Sequence, residues 1–140
     1  MTVTATFQCG TCDEVAATVT LVDPGQPDPR LTPEPPDAPP GVSTIFSSVY
    51  PDRAQLAIDG GPVSVTHGGL TQTDGVAAAL EDNDAAALFA IDREFAPFWC
   101  PICRLSYCRE HFRSWVTFDD GFYDATYGAC PEGHQRKLDD

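Results

Sequence analysis

The residues of this chain best suited to chemistry are six cysteines and two histidines, which fall in four short pairs. The pairs are Cys9 with Cys12, Cys100 with Cys103, Cys108 with His111, and Cys130 with His134. Thiolate sulfur and imidazole nitrogen are the donors that zinc prefers in closed structural sites, where four donors surround one ion. Eight donors with no cysteine left over therefore predict two Zn²⁺ ions, each in a Cys3His site.

Which pairs share an ion stays open at the level of the sequence. In a cross-brace, alternate pairs combine, so that the first pair joins Cys108 and His111 while Cys100 and Cys103 join the last pair. In the sequential alternative, the two middle pairs form one local site. We favour the cross-brace, since only four residues separate Cys103 from Cys108. Either grouping is closed, without a coordination position for a reactive water, which argues against a zinc hydrolase.

The charge of the chain limits its partners. The formal net charge is -13, and six zinc-bound thiolates with two Zn²⁺ change it to -13 - 6 + 4 = -15. A surface this acidic repels phosphate, so we do not expect nucleic acid as a partner, although Arg104, Arg109 and Arg113 lie near the cysteine pairs. A solvated face or pairing with acids is the more ordinary role for these arginines.

The N-terminus has no basic start and no apolar run, and no stretch has the roughly 20 apolar residues of a membrane helix. We therefore expect a cytoplasmic protein that does not bind membranes. In a reducing compartment C-x-x-C pairs are more often metal ligands than disulfides. Disulfides remain an alternative, but they would not explain why histidines follow two of the cysteines at the spacing of metal ligands.

The first pair is predicted to lie in the turn of a β-hairpin. Residues 1–22 form this zinc-knuckle hairpin, with strands Thr2–Phe7 and Val15–Val22. Residues 23–41 form a linker so rich in proline that neither helix nor central strand is possible there. A spacer or a strap over the surface fits this composition better than a ligand for proline-binding domains.

Residues 42–95 are predicted to form an inserted α+β lobe. Its expected elements are a strand (42–50), a hairpin (54–66), a helix (74–80) capped by Thr73 or Asp74, and a helix (85–95) capped by residues 82–84. Leu88, Ile91 and Phe95 share one helix face and should be core. A catalytic role for His67 would need a partner, and no serine or cysteine nucleophile motif is nearby, which favours a structural or exposed histidine.

Residues 96–140 complete the zinc-binding region. A helix-like run, Glu110–Val116, should follow the third pair. Aromatic residues surround the ligands, and most should pack beneath the zinc sites: Trp99, Trp115, Phe118, Phe122, Tyr123 and Tyr127. Between Thr117 and Tyr127 a buried hairpin is the favoured interpretation. Exposed aromatics in an acidic rim, suited to a protein partner, are the alternative.

The run C-x2-C-x4-C-x2-H from Cys100 to His111, with an aromatic before its third cysteine, resembles the AN-one-type zinc finger. That family also has an upstream C-x2-C and a cross-brace of two zincs. More broadly the chain is similar to RING domains, which share the cross-brace. The C-terminal segment also resembles small uncharacterised bacterial proteins that end in Cys-Pro-x-Gly-His, a likeness that names no activity.

The RING resemblance implies two further residues. Cys100-Pro-Ile-Cys103 is similar to the opening pair of a RING, which implies that Ile102 contacts a ubiquitin-conjugating-like enzyme. Arg136, just past the last ligand, lies near the position of an arginine that steadies the donor in many RINGs. Such E3 scaffolds contribute no catalytic residue of their own.

Together these observations predict a small α+β, cross-brace (treble-clef or RING-like) two-zinc domain with a β-hairpin and helical insertion. We expect a protein-protein interaction module with structural zinc, in which Ile102, Arg136, Phe118, Phe122 and Tyr123 contact the partner. The alternative function is an E3-like scaffold for conjugation of a ubiquitin-like protein. An enzyme with a site in the middle lobe has only His67 and scattered acids in its favour.

Overall fold

The structure is a computed structural model that describes residues 2–26 and 52–140. Its strands and helices follow the chain in this order: β1 (Val3–Gln8), β2 (Val15–Val22), β3 (Gln55–Gly60), β4 (Val65–His67), α1 (Thr73–Glu81), α2 (Ala85–Ile91), a 3-10 turn (Arg93–Phe95), β5 (Trp99–Cys100), β6 (Leu105–Ser106), β7 (Arg113–Asp119), β8 (Phe122–Ala129) and β9 (Gln135–Asp139). The fold of these described residues is mixed α and β, with small sheets and two helices. The predicted strand 42–50 and linker residues 27–41 lie outside the described ranges.

The first half is one antiparallel sheet in the order β1-β2-β3-β4. The alternating sequence of β1 places its residues alternately inside and outside, because Ala5 and Phe7 are buried while Thr4 and Thr6 are exposed. Val19 lies opposite Ala5 on one side and Ile58 on the other. The N-terminal hairpin and the described part of the middle lobe therefore share one sheet and one core.

The two helices cover this sheet. Val76 and Leu80 of α1 and Leu88 of α2 pack into the core with Phe7, Val19, Leu56 and Phe98. Asp84 caps α2 by accepting a hydrogen bond from the Ala87 N–H, as predicted. The predicted cap of α1 is wrong, because Gln72 occupies the cap position and makes no side-chain bond. The second helix is also shorter than predicted, since Asp92 is extended and residues 93–95 form a 3-10 turn.

The second half consists of the short β5–β6 pair and an antiparallel sheet in the order β7-β8-β9. The predicted helix Glu110–Val116 is wrong. A single turn forms where the His111 and Phe112 N–H groups donate to the Cys108 carbonyl, and β7 begins at Arg113. The reason is the β-branched and aromatic composition of Trp115–Phe118, which suits a strand paired with β8.

A second core surrounds the cysteines, and the N-terminal hairpin contributes Cys9 and Ala16 to it. Its buried members are Cys9, Ala16, Cys100, Tyr107, Cys108, Phe112, Cys130 and Leu138. Few apolar side chains are available here, so the fold of this half depends on what holds the cysteines together.

Gly128 fills a position in this second core where no side chain fits. A Cβ built there would lie 2.6 Å from Leu138 Cδ1 and 2.6 Å from Phe112 Cε1. We expect Gly128→Ala to lower the free energy of unfolding by about 1–3 kcal/mol through overpacking. Gly75→Ala in α1 is expected to raise the free energy of unfolding instead, by about 0.5–1 kcal/mol. The added Cβ has room there, because its nearest contact lies at 3.4 Å. Urea unfolding of both variants measures the difference, and equal shifts would contradict this packing.

Candidate metal centres

The structure brings the eight predicted donors together in two groups of four. The first group is Cys9, Cys12, Cys108 and His111, and the second is Cys100, Cys103, Cys130 and His134. Within each group the ligand atoms all lie within 4.8 Å of one another. The groups combine alternate pairs along the chain, which is the grouping that we favoured over the sequential one. Each group could hold a metal ion.

The distances between donors fit one tetrahedral ion in each group. Zn–S bonds of about 2.3 Å place the sulfurs of a tetrahedron about 3.8 Å apart, and a Zn–N bond of about 2.0 Å shortens the sulfur–nitrogen edge slightly. The Cys12 and Cys108 sulfurs lie 3.7 Å apart, and those of Cys103 and Cys130 lie 3.8 Å apart. These separations exclude a disulfide, whose sulfurs lie about 2.05 Å apart.

The histidines complete both groups in the same way. His111 Nδ1 lies 3.2 Å from the Cys108 sulfur and 3.7 Å from the Cys9 sulfur. His134 Nδ1 lies 3.3, 3.4 and 3.6 Å from the sulfurs of Cys103, Cys130 and Cys100. Each imidazole therefore offers Nδ1 as its donor atom. The donor type, number and spacing fit Zn²⁺.

Two tight turns supply the first centre. Cys9 and Cys12 occupy the β1–β2 turn, which is closed by a hydrogen bond from the Cys9 N–H to the Glu14 carbonyl at 3.0 Å. The Gly10 N–H donates to the Ser106 carbonyl at 2.8 Å, which docks this turn on β6 immediately before Cys108. A Cβ at Gly10 would lie 3.1 Å from Leu105 Cδ1, so the small residue permits this approach. The first centre thus joins the N-terminal hairpin to the second half of the chain.

The second centre joins the β5–β6 turn to the β8–β9 turn. Cys100 and Cys103 lie in a turn whose end is set by Arg104, with φ of 56° and its N–H donating to the Cys100 carbonyl at 2.8 Å. Cys130 and His134 lie in the other turn, closed by the Cys130 N–H to the His134 carbonyl at 3.1 Å. Gly133 has φ of 88° there, a conformation that favours glycine.

Backbone amides stabilise particular sulfurs as thiolates. The Thr11 N–H donates to the Cys9 sulfur at 3.5 Å, and the Cys103 N–H to the Cys100 sulfur at 3.4 Å. Burial opposes ionisation of Cys9, but hydrogen bonds from the backbone of Cys108, Thr11 and Cys12 lower its pKa to about 6. For Cys12 a backbone hydrogen bond from Glu14 is outweighed by burial and by the neighbouring sulfurs, which raise its pKa to about 11.

These opposite shifts describe the electrostatic problem of the donor set. The three thiolates of a site repel one another. Without a positive charge nearby, the ionisation of one cysteine therefore raises the pKa of the next. A dication removes this repulsion and allows all three to stay ionised. With four protein donors each centre is closed, and the metal has a structural rather than a catalytic environment.

Tyr107 is a supporting residue whose role the sequence analysis did not identify. Its ring is buried in the second core, and its interaction with Cys103 lowers the pKa of that thiol, which burial and the neighbouring sulfurs raise. Burial, and the neighbouring sulfurs, raise the pKa of this phenol. The aromatic residue directly before Cys108 was the available signal, since a buried tyrosine needs a partner for its hydroxyl.

The predicted partner residues have very different environments. Ile102, in the turn between two ligands of the second centre, is 67% exposed. Arg136 instead lies against the protein, where its guanidinium donates to the carbonyls of Ala96 and Trp99 at 2.8 Å and of Arg93 at 2.7 Å. It also lies over the Phe89 ring. These contacts use the guanidinium to hold β9 against the segment before β5.

The aromatic residues near the ligands differ in exposure, whereas we predicted that most of them would be buried. Trp99 is buried, but in the core of the first half, 5.2 Å from the Phe89 ring. Trp115 and Tyr127 are half-buried and stack on each other across β7 and β8. Phe118, Phe122 and Tyr123 are 68%, 77% and 48% exposed. The favoured buried hairpin is therefore wrong, and its end presents exposed aromatics instead.

His67 lies at the end of β4 and lines a cavity of about 280 Å³ beside Ile91 and Phe95. Its Nε2 lies 3.2 Å from the Glu94 carbonyl oxygen, and its ring packs against Phe95. This is the environment of a structural histidine. Neither helix that the structure describes has the length and apolar character needed to cross a membrane.

Comparison with known proteins places the whole chain in one family. No curated protein and no solved structure matches it. A family model, however, matches residues 1–140, so the matched range includes both metal centres. The chain belongs to the family described as "Domain of unknown function (DUF8328)".

Proposed function

We propose that this protein is a protein-binding module in which two structural Zn²⁺ ions hold a cross-brace and the end of the β7–β8 hairpin contacts the partner. The observation that carries the proposal is the exposure of Phe118, Phe122 and Tyr123 at that end. Large aromatic side chains are enriched at the centres of protein interfaces, because they bury much area with little loss of rotamer freedom.

The hairpin end is built to present these rings in a fixed arrangement. Phe118 lies opposite Tyr123 in the register of the two strands. The Tyr123 hydroxyl is held by Thr126 Oγ1 at 2.9 Å and by Asp139 Oδ2 at 3.1 Å, which leaves the ring itself half exposed. Three exposed acids, Asp119, Asp120 and Asp124, are neighbours of these aromatic residues in the chain. A partner with an apolar patch and a basic rim would complement this surface.

The double variant Phe118→Ser/Phe122→Ser tests this proposal. Both side chains are more than two-thirds exposed, so the change should alter the free energy of unfolding by less than about 0.5 kcal/mol. Loss of two anchors should weaken partner binding by about tenfold or more. Affinity capture from the source cells, quantified by mass spectrometry and followed by titration of the recovered partner, measures the effect.

Val15→Ser is a matched control, because Val15 is also an exposed apolar residue, 47% exposed, but lies at the start of β2. Capture of the same proteins with the same affinity by the wild type and by the double variant would contradict the proposed surface.

A RING-like E3 scaffold is the second candidate, and the exposure of Ile102 favours it. This side chain stands out from the turn of the second centre, where the resembling RING residue meets a conjugating enzyme. Ile102→Ala should then abolish modification in a reconstituted reaction with conjugating enzyme and ubiquitin-like protein while both zincs are retained. Arg136 cannot serve as a second probe of this idea, because its three carbonyl bonds make it part of the fold.

A further inference from the structure

We propose that β7 pairs antiparallel with β7 of a second copy of this chain, forming a two-fold dimer with a continuous six-stranded sheet. The inference concerns the edge of the sheet and goes beyond the proposed function. It is carried by three properties of β7: its position, its regular backbone and its order of charges.

The first property is that β7 is an edge strand. The sheet order is β7-β8-β9, so β7 has β8 on one side and no strand on the other among the described residues. At the opposite edge, β9 is held against another part of the chain, because the Arg136 guanidinium donates to the carbonyls of residues 93, 96 and 99. Edge strands present a row of backbone donors and acceptors that can pair with another chain.

The second property is the lack of the usual protection of such an edge. The register passes from Thr117 opposite Ala125 to Phe118 opposite Tyr123, so the extra residue of the bulge, Asp124, is on β8. β7 itself is regular over seven residues, and its interior contains no proline, glycine or charge. Val116 is 47% and Phe118 68% exposed along it. Natural edges of this length and composition are normally interrupted by charges or bulges.

The third property, the order of charges, favours a second copy of β7 as the strand that pairs with this edge. β7 begins with a cation, Arg113, and ends with an anion, Asp119. Antiparallel pairing about a two-fold axis at Val116 sets Arg113 opposite Asp119 of the second copy, twice in the dimer, whereas parallel pairing sets like charges side by side. A two-fold interface requires such a self-complementary patch.

The same register also matches the interior of the strand. Val116 meets its own symmetry copy, Trp115 lies opposite Thr117, and Ser114 lies opposite Phe118. Aromatic and β-branched pairs across antiparallel strands are favourable. The net charge of -13 acts against association over long range, but salt at 0.15 M screens charges beyond about 8 Å, while directly opposed pairs are much closer.

Charge reversal tests the register. Sedimentation equilibrium of the zinc-loaded wild type should show a species of twice the 15.1 kDa of one chain. Arg113→Asp and Asp119→Arg each replace two attractive pairs by two repulsive ones, and each should raise the dimer dissociation constant about tenfold or more. Mixing the two variants should restore the dimer, because each chain then supplies the charge that the other lacks. Glu81→Arg, which changes the net charge as Asp119→Arg does at an exposed site on α1, should have no such effect.

An engineered disulfide between the two chains tests the position of the two-fold axis. In this register the two copies of Val116 lie opposite each other at the Cα separation of about 4.5–5.5 Å that a disulfide allows. Val116→Cys should therefore form a covalent dimer with oxidised glutathione in the presence of zinc, as seen on a non-reducing gel. Ser114→Cys, two residues away on the same exposed strand, should form no covalent dimer and run as a single chain on that gel, because its copy is displaced by four residues along the sheet.

The proposal is overturned if the wild type stays at 15.1 kDa at hundreds of micromolar, or if a dimer forms that neither charge variant weakens. It is also overturned if Ser114→Cys crosslinks as readily as Val116→Cys, or if a foreign peptide but not a second copy binds β7. These readouts need no other protein, so their failure is distinct from a failure of the capture experiment at the hairpin end.

Discussion

Removal of zinc is expected to unfold the second half of the protein while much of the first half keeps its structure. Among the described residues, half of the buried members of the second core are ligands, and the other half are Ala16, Tyr107, Phe112 and Leu138. Structural zinc contributes about 10–16 kcal/mol of folding free energy in small finger peptides, as much as the whole stability of many domains. The first sheet has a separate core beneath α1 and α2, which does not depend on a ligand.

Hydrogen exchange before and after chelation measures this difference strand by strand. We expect β5 to β9 to lose protection and β1 to β4 to retain most of it. The wild type should hold two equivalents of zinc by elemental analysis. Cys108→Ser should weaken the first centre and Cys103→Ser the second, each with loss of about one equivalent.

Thr11→Ala is the control for these cysteine variants, because Thr11 lies between two ligands but its side chain is not a donor in either group. It should retain two equivalents. Fewer than two tightly held zincs in the wild type, or unchanged protection of β5 to β9 after chelation, would contradict a fold held by metal.

Replacement of Arg136 by methionine should cost at least about 3 kcal/mol of unfolding free energy. Hydrogen bonds from charged donors are worth about 1.5–3 kcal/mol each, and the variant leaves three carbonyls, those of Arg93, Ala96 and Trp99, without this donor. Methionine keeps the apolar stem of the side chain but removes the guanidinium from above the Phe89 ring, so the loss reports on the hydrogen bonds together with this cation–π contact. Burial and the neighbouring Arg93 lower the pKa of Arg136 to about 10, so the guanidinium is still charged at neutral pH.

Arg104→Met provides a matched comparison for this variant. Arg104 also lies over an aromatic ring, that of Trp99, at 5.5 Å, but it is exposed. Its replacement should cost less than about 1 kcal/mol, as expected for an exposed cation–π contact. Thermal or urea unfolding of the two zinc-loaded variants compares them, and an equal effect would show that the bonds of Arg136 contribute little.

The donors and most elements followed from the sequence for local reasons. Cysteine and histidine at spacings of two and three residues place donors on one tight turn, whatever the rest of the chain does. The alternation in β1 and the cap at Asp84 are likewise set by near neighbours. The helix predicted after Cys108 failed because pairing with β8 outweighs a local preference at Arg113–Val116.

The remaining features depend on residues far apart in the chain, and only the tertiary structure decided them. Cys12 and Cys108 are 96 residues apart, so spacing alone left two groupings open, and the fold brought alternate pairs together. Exposure at Phe118 and Phe122, and the three carbonyls around Arg136, depend on which segments pack nearby. A sequence therefore fixes which side chains can bind a metal, while the packing of distant segments fixes which of them meet and which side chains remain at the surface.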